Sequence, residues 1–480
     1  MAHIASANTV AAPVFDKELI SRYEGSGPRY TSYPTAVNFH EGFTHDHYVD
    51  IAGRTNEDLI PAPLSLYFHL PFCSKVCYYC ACNKIITNNR RHAEPYLANL
   101  HREIVLQGQL FDRDRCVDQL HWGGGTPTFI NHTQMRQLMD VTRENFTLRT
   151  DDGGDYSIEV DPREVREDTV PVLRDIGFNR ISLGVQDFNP DVQKAVNRVQ
   201  SLEETARVVE AARREGFHSV NVDLIYGLPK QTTANFLDTL KLISGLNPDR
   251  LAVYNYAHLP HIFKTQRQID AHDLPGSDEK LSILRQAIEY LDGQGYVYIG
   301  MDHFARPDDE LAIAQRNCTL HRNFQGYSTH AGCDSVGMGI TAISQIDDCY
   351  AQNVRTLEEY SDHIARDRLP ISRGIKLDYD DCLRRDVIIR LICHFYLAFS
   401  FVAKKYDVEF SDYFYNELIA LREMEKDGLL TMDADSMTVS PKGRLLIRNI
   451  CMVFDKYLKS GKGSGRFSRV IQAQEPLSKS

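Results

Sequence analysis

One unit recurs through the middle of this chain: a short apolar strand, a turn containing Gly, Asp or Pro, then a helical stretch. Candidate strands lie at 64–69, 119–122, 156–160, 180–184, 219–225, 250–254 and 296–300. Between them, 94–106, 133–143, 202–214, 235–246 and 278–291 carry apolar residues at helical spacing. Such alternation builds parallel strands through right-handed crossovers, either as an open doubly wound sheet or as a whole or partial barrel. In either form, chemistry gathers at the carboxyl ends of the strands. The suggestive residues fall there: cysteines after the first strand, GGGT after the second, then Asp161, Gln186, Tyr226 and Ala257 after the third to sixth.

At 480 residues the chain is too long for one small core, so a large domain with one or two smaller parts is expected. Residues 1–60, with SGPRYTSYPT, suit an ordered extended segment near the mouth of the site; 61–375 carry the alternating units and their extension. From 376 to 480 the text turns helical, with DCLRRDVIIRLICHF and YNELIALREMEKDGLL, the latter stopped by Gly, before a polar, partly mobile tail from residue 460. A net charge of −11 and the lack of a basic stripe argue against a nucleic-acid partner, so an anionic substrate must meet a locally basic pocket. The longest apolar run, 391–403, is interrupted by His394 and too short to span a bilayer, which predicts a buried helix. The opening residues have neither the basic start nor the apolar stretch of a leader, and cytoplasmic residence is expected.

Eleven cysteines without an export signal fit reduced thiols or metal ligands better than a disulfide framework. Seven are scattered (Cys116, Cys318, Cys333, Cys349, Cys382, Cys393, Cys451) and read as small buried hydrophobes. The other four sit in PFCSKVCYYCAC, where Cys73, Cys77 and Cys80 are spaced C-x3-C-x2-C directly after a strand. One loop can then wrap three thiolates around a compact centre, and thiolates select zinc, copper(I) or iron-sulfur clusters. A structural zinc site needs four protein ligands, whereas a cubane held by three cysteines leaves one iron open. Cys82 could close the site as a fourth ligand, although a C-x-C pair joining two more cysteines of one short loop would be strained. The run 123–125, three glycines, lets backbone approach a ligand but equally fits a tight turn.

The cysteine spacing is that of the radical S-adenosylmethionine superfamily. The wider text is similar to the oxygen-independent coproporphyrinogen III oxidases through SGPRYTSYPT, PLSLYFHLPFC, CYYCAC, HWGGGTPT, SIEVDPRE, GFNRISLGVQDFN, DLIYGLPKQT, NPDRLAVYNYAHLP, GMDHFARPDDELA, HRNFQGY and GRLLIRNIC. This resemblance covers nearly the whole chain apart from the first twenty residues and the last dozen. It implies an α/β fold, a partial TIM-type (β/α)6 radical-SAM barrel with an N-terminal extended segment and a C-terminal helical domain. It also implies a [4Fe-4S] cluster on Cys73, Cys77 and Cys80, with a first S-adenosylmethionine at Tyr67, Gly124, Glu159 and Ile343. A second S-adenosylmethionine corresponds to Tyr79, Gly125, Thr126, Gln186, Arg198, Asp223 and Ala257. Tyr79 stands where relatives often carry Phe, and Ala81 where Gly is frequent. Read without the resemblance, Tyr67 and Ile343 would be core, Arg198 a surface ion pair and Asp223 a cap or turn.

The reaction implied is anaerobic decarboxylation of two propionates of coproporphyrinogen III to vinyl groups, giving protoporphyrinogen IX by 5'-deoxyadenosyl radical chemistry in haem biosynthesis. The substrate carries four propionates, so Arg29 and Arg322 are expected to receive them through charge-assisted hydrogen bonds. An electron donor such as a flavodoxin or ferredoxin and a monomeric state are expected as well. Two competing functions are a haem-binding chaperone that shares the cysteine motif and a tetrapyrrole-cleaving radical methyltransferase. Cys82 and PRYTSYPT favour the oxidase branch over the chaperone branch.

Overall fold

Burial alternates along the strands at 180–186 and 219–226, and the alternation fixes which way the sheet faces. The computed structural model describes residues 12–459. Six strands, β1 (Leu64–Leu70), β2 (Cys116–Gly124), β3 (Asp155–Val160), β4 (Arg180–Gln186), β5 (Ser219–Tyr226) and β6 (Arg250–Asn255), pair in parallel in sequence order. On β4, Ile181, Leu183 and Val185 are buried while Ser182, Gly184 and Gln186 are only half-buried. β5 repeats this with Val222 and Leu224 against Asn221 and Asp223. A parallel sheet covered by helices on both faces reads as continuous apolar runs. Here one face packs on helices and the other lines a polar interior.

The order of the strands completes the argument. Right-handed crossovers joining neighbours without reversal put every helix on the same face, whereas a doubly wound sheet needs a switch in order. The six units therefore form the expected partial barrel, and the open-sheet alternative falls away. Helices Ala93–Gly108, His132–Asn145, Leu202–Arg214, Thr233–Gly245 and Ser277–Gly293 lie close to the expected spans. Asn131 with Gln134, Ser201 with Glu204, and Thr232 with Asn235 form capping boxes that start three of them. Under them, fully buried Trp122 packs edge-on to Phe178 at 4.9 Å and to Phe68 at 6.2 Å.

Two expectations need correction. The seventh candidate strand does not extend the parallel ladder: β7 (Val297–Gly300) pairs antiparallel with β8 (His303–Ala305), which pairs antiparallel with β6. On the other side, β9 (Asp334–Met338) runs parallel to β1, and β10 (Ile343–Ile346), β11 (Cys349–Asn353) and β12 (Ile371–Lys376) continue antiparallel. The run 391–403 is no single helix either. A helix Tyr379–His394 stops where Phe395 takes a left-handed φ of 56°, and Tyr396–Ala398 pairs into a three-stranded sheet before a second helix, Phe399–Tyr406.

Among the described residues no helix is long and apolar enough to cross a membrane. The N-terminal segment includes helices Lys17–Arg22 and His45–Arg54 as well as extended chain. It docks on the C-terminal helices: the Tyr30 hydroxyl donates to Asp455 at 3.0 Å, and Arg448 donates to the Pro28 carbonyl at 2.9 Å. The polar tail from residue 460 lies outside the described residues.

Candidate functional site

The cysteine loop leaves β1 and is tied down at both ends. Phe72–Cys73 pairs with Ile85–Ile86, and Thr87 N–H donates to the Cys73 carbonyl at 3.0 Å. Between those ties, Asn197 holds the Val76 carbonyl at 2.7 Å, Gln266 holds the Tyr79 carbonyl at 3.0 Å, and Lys84 holds the Cys80 carbonyl at 2.9 Å. The three sulfurs are thereby presented by a loop braced from within by Lys84 and fixed to two other parts of the barrel by Asn197 and Gln266.

The glycines of GGGT serve close approach. Gly125 N–H donates to the Leu70 carbonyl at 2.8 Å, and a Cβ there would meet the Pro71 carbonyl oxygen at 2.7 Å. Thr126 N–H donates to the Phe72 carbonyl at 2.8 Å, which locks the end of β2 onto the root of the cysteine loop. Gly124 takes a φ of +113° and turns its N–H to Glu159 Oε2 at 3.1 Å.

Two cavities open at this end of the barrel. One, of about 310 Å³, is bordered by Cys73, Cys77 and Cys80 together with Tyr79, Gly125, Thr126, Gln186, Arg198 and Asp223. Six of the seven residues expected at a second nucleotide thus share a wall with the three thiols. Ala257 is not on that wall; its carbonyl accepts from Gln266 at 3.2 Å, the side chain that also holds Tyr79. The other cavity, of about 420 Å³, is bordered by all four residues expected at the first nucleotide, Tyr67, Gly124, Glu159 and Ile343. Gly124, Glu159 and Cys82 border both. A larger cavity, of about 680 Å³, lies at the opposite end of the barrel among Arg113, Arg143, Arg149 and Arg174, far from these groups.

The donor set fits an anionic thiolate-bound centre. Thr126 Oγ1 donates to Cys73 Sγ at 3.5 Å, and Arg198 and Arg163 direct nitrogens at Cys77 Sγ from 3.6 and 3.7 Å. Burial pushes the Cys73 thiol up to about 11, so it is protonated until a cation takes the proton's place. The Cys80 thiol is pulled down, chiefly by a hydrogen bond from Cys82. Cys82 itself is exposed.

Glu159 is half-buried, and desolvation alone would raise its pKa, yet His121 and the Gly124 N–H hold it below its ordinary value. His121 Nε2 lies 3.3 Å from Glu159 Oε1. Tyr67 stacks on His121 at 5.8 Å and its hydroxyl meets His69 Nδ1 at 3.1 Å. His69 Nε2 lies 3.0 Å from the Asn83 carbonyl, so it carries the proton and Nδ1 accepts from Tyr67. Asp223 takes hydrogen bonds from Ser182 and Asn221, but burial and the Glu159 charge push it up to about 6. Gln186 has a φ of 73° where β4 and β5 slip register, a strained backbone that re-aims its side chain.

Arg29 and Arg322 border neither cavity. Arg29 is ion-paired with Asp302. Arg322, 4% exposed, lies over the Tyr327 ring at 4.6 Å, and its Nε and Nη1 have no hydrogen-bond partner among the described residues. Sequence reasoning missed Phe324 and Gln325, which border the first cavity from within HRNFQGY. Residues so far along the chain reach the site only because the sheet continues past β1, a pairing that no local pattern announces.

A cysteine loop at the carboxyl end of β1 in a six-stranded partial barrel defines a radical S-adenosylmethionine enzyme, and residues 67–243 match the model of the Radical SAM superfamily. A curated relative from Pseudomonas aeruginosa named oxygen-independent coproporphyrinogen III oxidase is 52% identical over 460 residues, 95% of this chain and 99% of its own. One from Escherichia coli with the same name is 52% identical over 457 residues, 95% and 98% of the two chains. The solved structure of coproporphyrinogen III oxidase from Escherichia coli, described as a radical SAM enzyme, superposes with a TM-score of 0.88 at 50% identity, covering 93% of this chain and all of that one. This chain belongs to the oxygen-independent coproporphyrinogen III oxidases.

Proposed function

We propose that the chain converts coproporphyrinogen III to protoporphyrinogen IX by oxidatively decarboxylating two propionate side chains, as a radical S-adenosylmethionine enzyme of haem biosynthesis. In each conversion a CH2–CH2–COO⁻ group becomes CH=CH2, releasing carbon dioxide, a proton and two electrons. The observation that carries the reading is the meeting of two cavities at Gly124, Glu159 and Cys82 beside the three-cysteine loop, in a chain that matches oxidase relatives along almost its full length.

Cys73, Cys77 and Cys80 hold the [4Fe-4S] cluster in this reading, with Arg198, Arg163 and Thr126 offsetting the charge on the sulfurs. Bound there, the cluster and S-adenosylmethionine supply electron transfer and hydrogen-atom abstraction. Tyr67, Gly124, Glu159 and Ile343 bind one S-adenosylmethionine, with ionised Glu159 as the natural acceptor for a hydroxyl or amine. Tyr79, Gly125, Thr126, Gln186, Arg198, Asp223 and Ala257 serve a second, Ala257 through the carbonyl that Gln266 shares with Tyr79. Arg29 and Arg322 orient the substrate carboxylates. A small electron carrier, flavodoxin or ferredoxin, delivers the reducing electron to a monomeric cytoplasmic enzyme.

The test is anaerobic incubation of reduced, cluster-loaded protein with coproporphyrinogen III and S-adenosylmethionine, read by protoporphyrin fluorescence after oxidation. Product that requires S-adenosylmethionine supports the reading. A cluster that forms and answers S-adenosylmethionine in its EPR spectrum, with no product, sinks it.

A further inference from the structure

At the end of the barrel opposite the cysteine loop, Asp118, His330 and Cys333 bring a carboxylate oxygen, an imidazole nitrogen and a thiol sulfur within 4.8 Å of one another, all three residues half-buried. We propose that they bind a divalent cation of the zinc class, with water in the remaining position.

Cys333 is half-buried and Cys116 exposed, so neither is the small buried hydrophobe expected, whereas Cys349, Cys393 and Cys451 are buried. Ligands at zinc bond lengths of about 2.0–2.3 Å stand about 3.3–3.8 Å apart around a tetrahedron, so side-chain adjustments of about 1 Å close the set. An imidazole, a thiolate and a carboxylate together neutralise a divalent ion, and a mixed sulfur and nitrogen set favours zinc over magnesium or calcium. The H-x2-C spacing lets one short loop supply two of the donors.

The backbone presents these donors deliberately. Leu64 of β1 opposes Val117, whereas Ser65 opposes Gln119, which leaves Asp118 as the extra residue of a bulge that re-aims its side chain. The stretch carrying His330 and Cys333 is tied at both ends. Ser328 Oγ accepts from His330 N–H at 3.0 Å and from Gln119 Nε2 at 3.2 Å. Asp334 donates its N–H to the Pro63 carbonyl at 2.9 Å, and its carboxylate accepts from Arg115 at 2.6 Å.

Neighbouring acids are paired off, so the charge a cation meets is that of the three donors themselves. Asp334 is neutralised by Arg115, and Asp155 by Arg180. Asp118 Oδ1 accepts from Arg149 at 3.0 Å, but Arg149 is shared with Asp151, and the second carboxylate oxygen is left for an ion. A hydrogen bond of this kind orients a ligating carboxylate.

Sheet order gives the site a role. β2 and β9 flank β1, so an ion held by Asp118 from β2 and by the loop entering β9 clips together the two neighbours of the strand that delivers the cysteines. It acts on stability and touches none of the reacting groups, so it stands apart from the oxidase reading.

The experiment uses cluster-loaded protein exposed anaerobically to Zn²⁺ and then dialysed, with zinc and iron counted by mass spectrometry in the wild type, Cys333→Ser and His330→Ala. The expected result is about one zinc per chain in the wild type and roughly 10- to 100-fold weaker retention in both variants at unchanged iron. A rise in thermal midpoint on adding Zn²⁺, in the wild type only, accompanies it. A wild type that retains no zinc, or no more than His330→Ala, overturns the proposal. Should Cys333→Ser lose its iron through misfolding, His330→Ala alone decides.

Discussion

Arg198 aims Nη1 at the sulfur of Cys77, 3.6 Å away. The same nitrogen stands 3.1 Å from Asp161 Oδ2, so a single guanidinium serves the cysteine loop and the end of β3. Burial pushes Asp161 up, and Arg198, then Arg163, more than offset it, holding the carboxyl at about 2.

That balance predicts the acid response of Arg198→Gln. A carboxyl whose folded pKa is depressed contributes stability above its unfolded pKa and loses it as pH falls through the folded value. The variant is expected to be about 1–2 kcal/mol less stable than the wild type at pH 6, with the difference shrinking between pH 4 and pH 2. Urea titrations of metal-free protein across that range measure it. A difference that stays constant with pH would mean that Arg198 acts by packing.

The cysteines divide by surroundings as well as by spacing. Cys73 and Cys77 receive donors from Thr126, Arg198 and Arg163, and Cys80 accepts from Cys82, which is exposed. Replacing Cys73, Cys77 or Cys80 with Ser should remove most of the iron, while Cys82→Ser should keep it. Iron and sulfide counts on anaerobically reconstituted proteins decide, and iron loss in Cys82→Ser equal to the others would make Cys82 a fourth ligand.

Much of this site was readable because the barrel concentrates function at strand ends. Tyr67, Glu159, Gln186 and Asp223 sit on strands that apolar runs located, but read alone Tyr67 is core and Asp223 a cap or turn, so their grouping at one site came from the family resemblance. The helices were placed by apolar spacing, and the structure adds capping boxes at Asn131, Ser201 and Thr232 that start three of them. Phe324 and Gln325 were not readable, since they reach the cavity through a parallel pairing of β1 with β9, more than 260 residues apart. The break at Phe395 was hidden for another reason: a left-handed φ at an aromatic residue carries no sequence signal, whereas Gly428, with a φ of +75°, ended its helix as expected. Cys333 looked inert because its partner Asp118 lies on a strand two hundred residues earlier.

Asp223 should trade stability against function. Its folded pKa of about 6 lies above the unfolded value, chiefly through burial and then through Glu159. Ionising it therefore costs stability: the cost is absent below about pH 4, grows as pH rises through 6 and is complete above. Asp223→Asn is expected to be about 2 kcal/mol more stable than the wild type at pH 8, with the gain vanishing toward pH 4. If Asp223 also receives a cofactor amine or hydroxyl, the same variant loses turnover while keeping its iron. Denaturation and product formation on one preparation read both, and unchanged turnover removes Asp223 from the binding site.

Arg322 makes the sharpest case for substrate recognition. A buried guanidinium with two nitrogens lacking hydrogen-bond partners among the described residues costs desolvation that Tyr327 offsets only in part. Such a cost persists where an anion repays it on binding, and the four carboxylates of the proposed substrate are suitable anions. Arg29 stands nearby but is already paired with Asp302, so its removal frees a carboxylate that repels the substrate. Arg322→Met should therefore raise the stability of the free protein and lower kcat/KM for coproporphyrinogen about 10- to 100-fold, mainly through KM, matching the loss of one or two charge-assisted hydrogen bonds. Arg29→Ala should raise KM as well, without the gain in stability. Steady-state kinetics at saturating S-adenosylmethionine, set beside thermal midpoints, separate the two residues. A more stable Arg322→Met with wild-type KM would reduce Arg322 to a packing residue and leave the propionates to other groups.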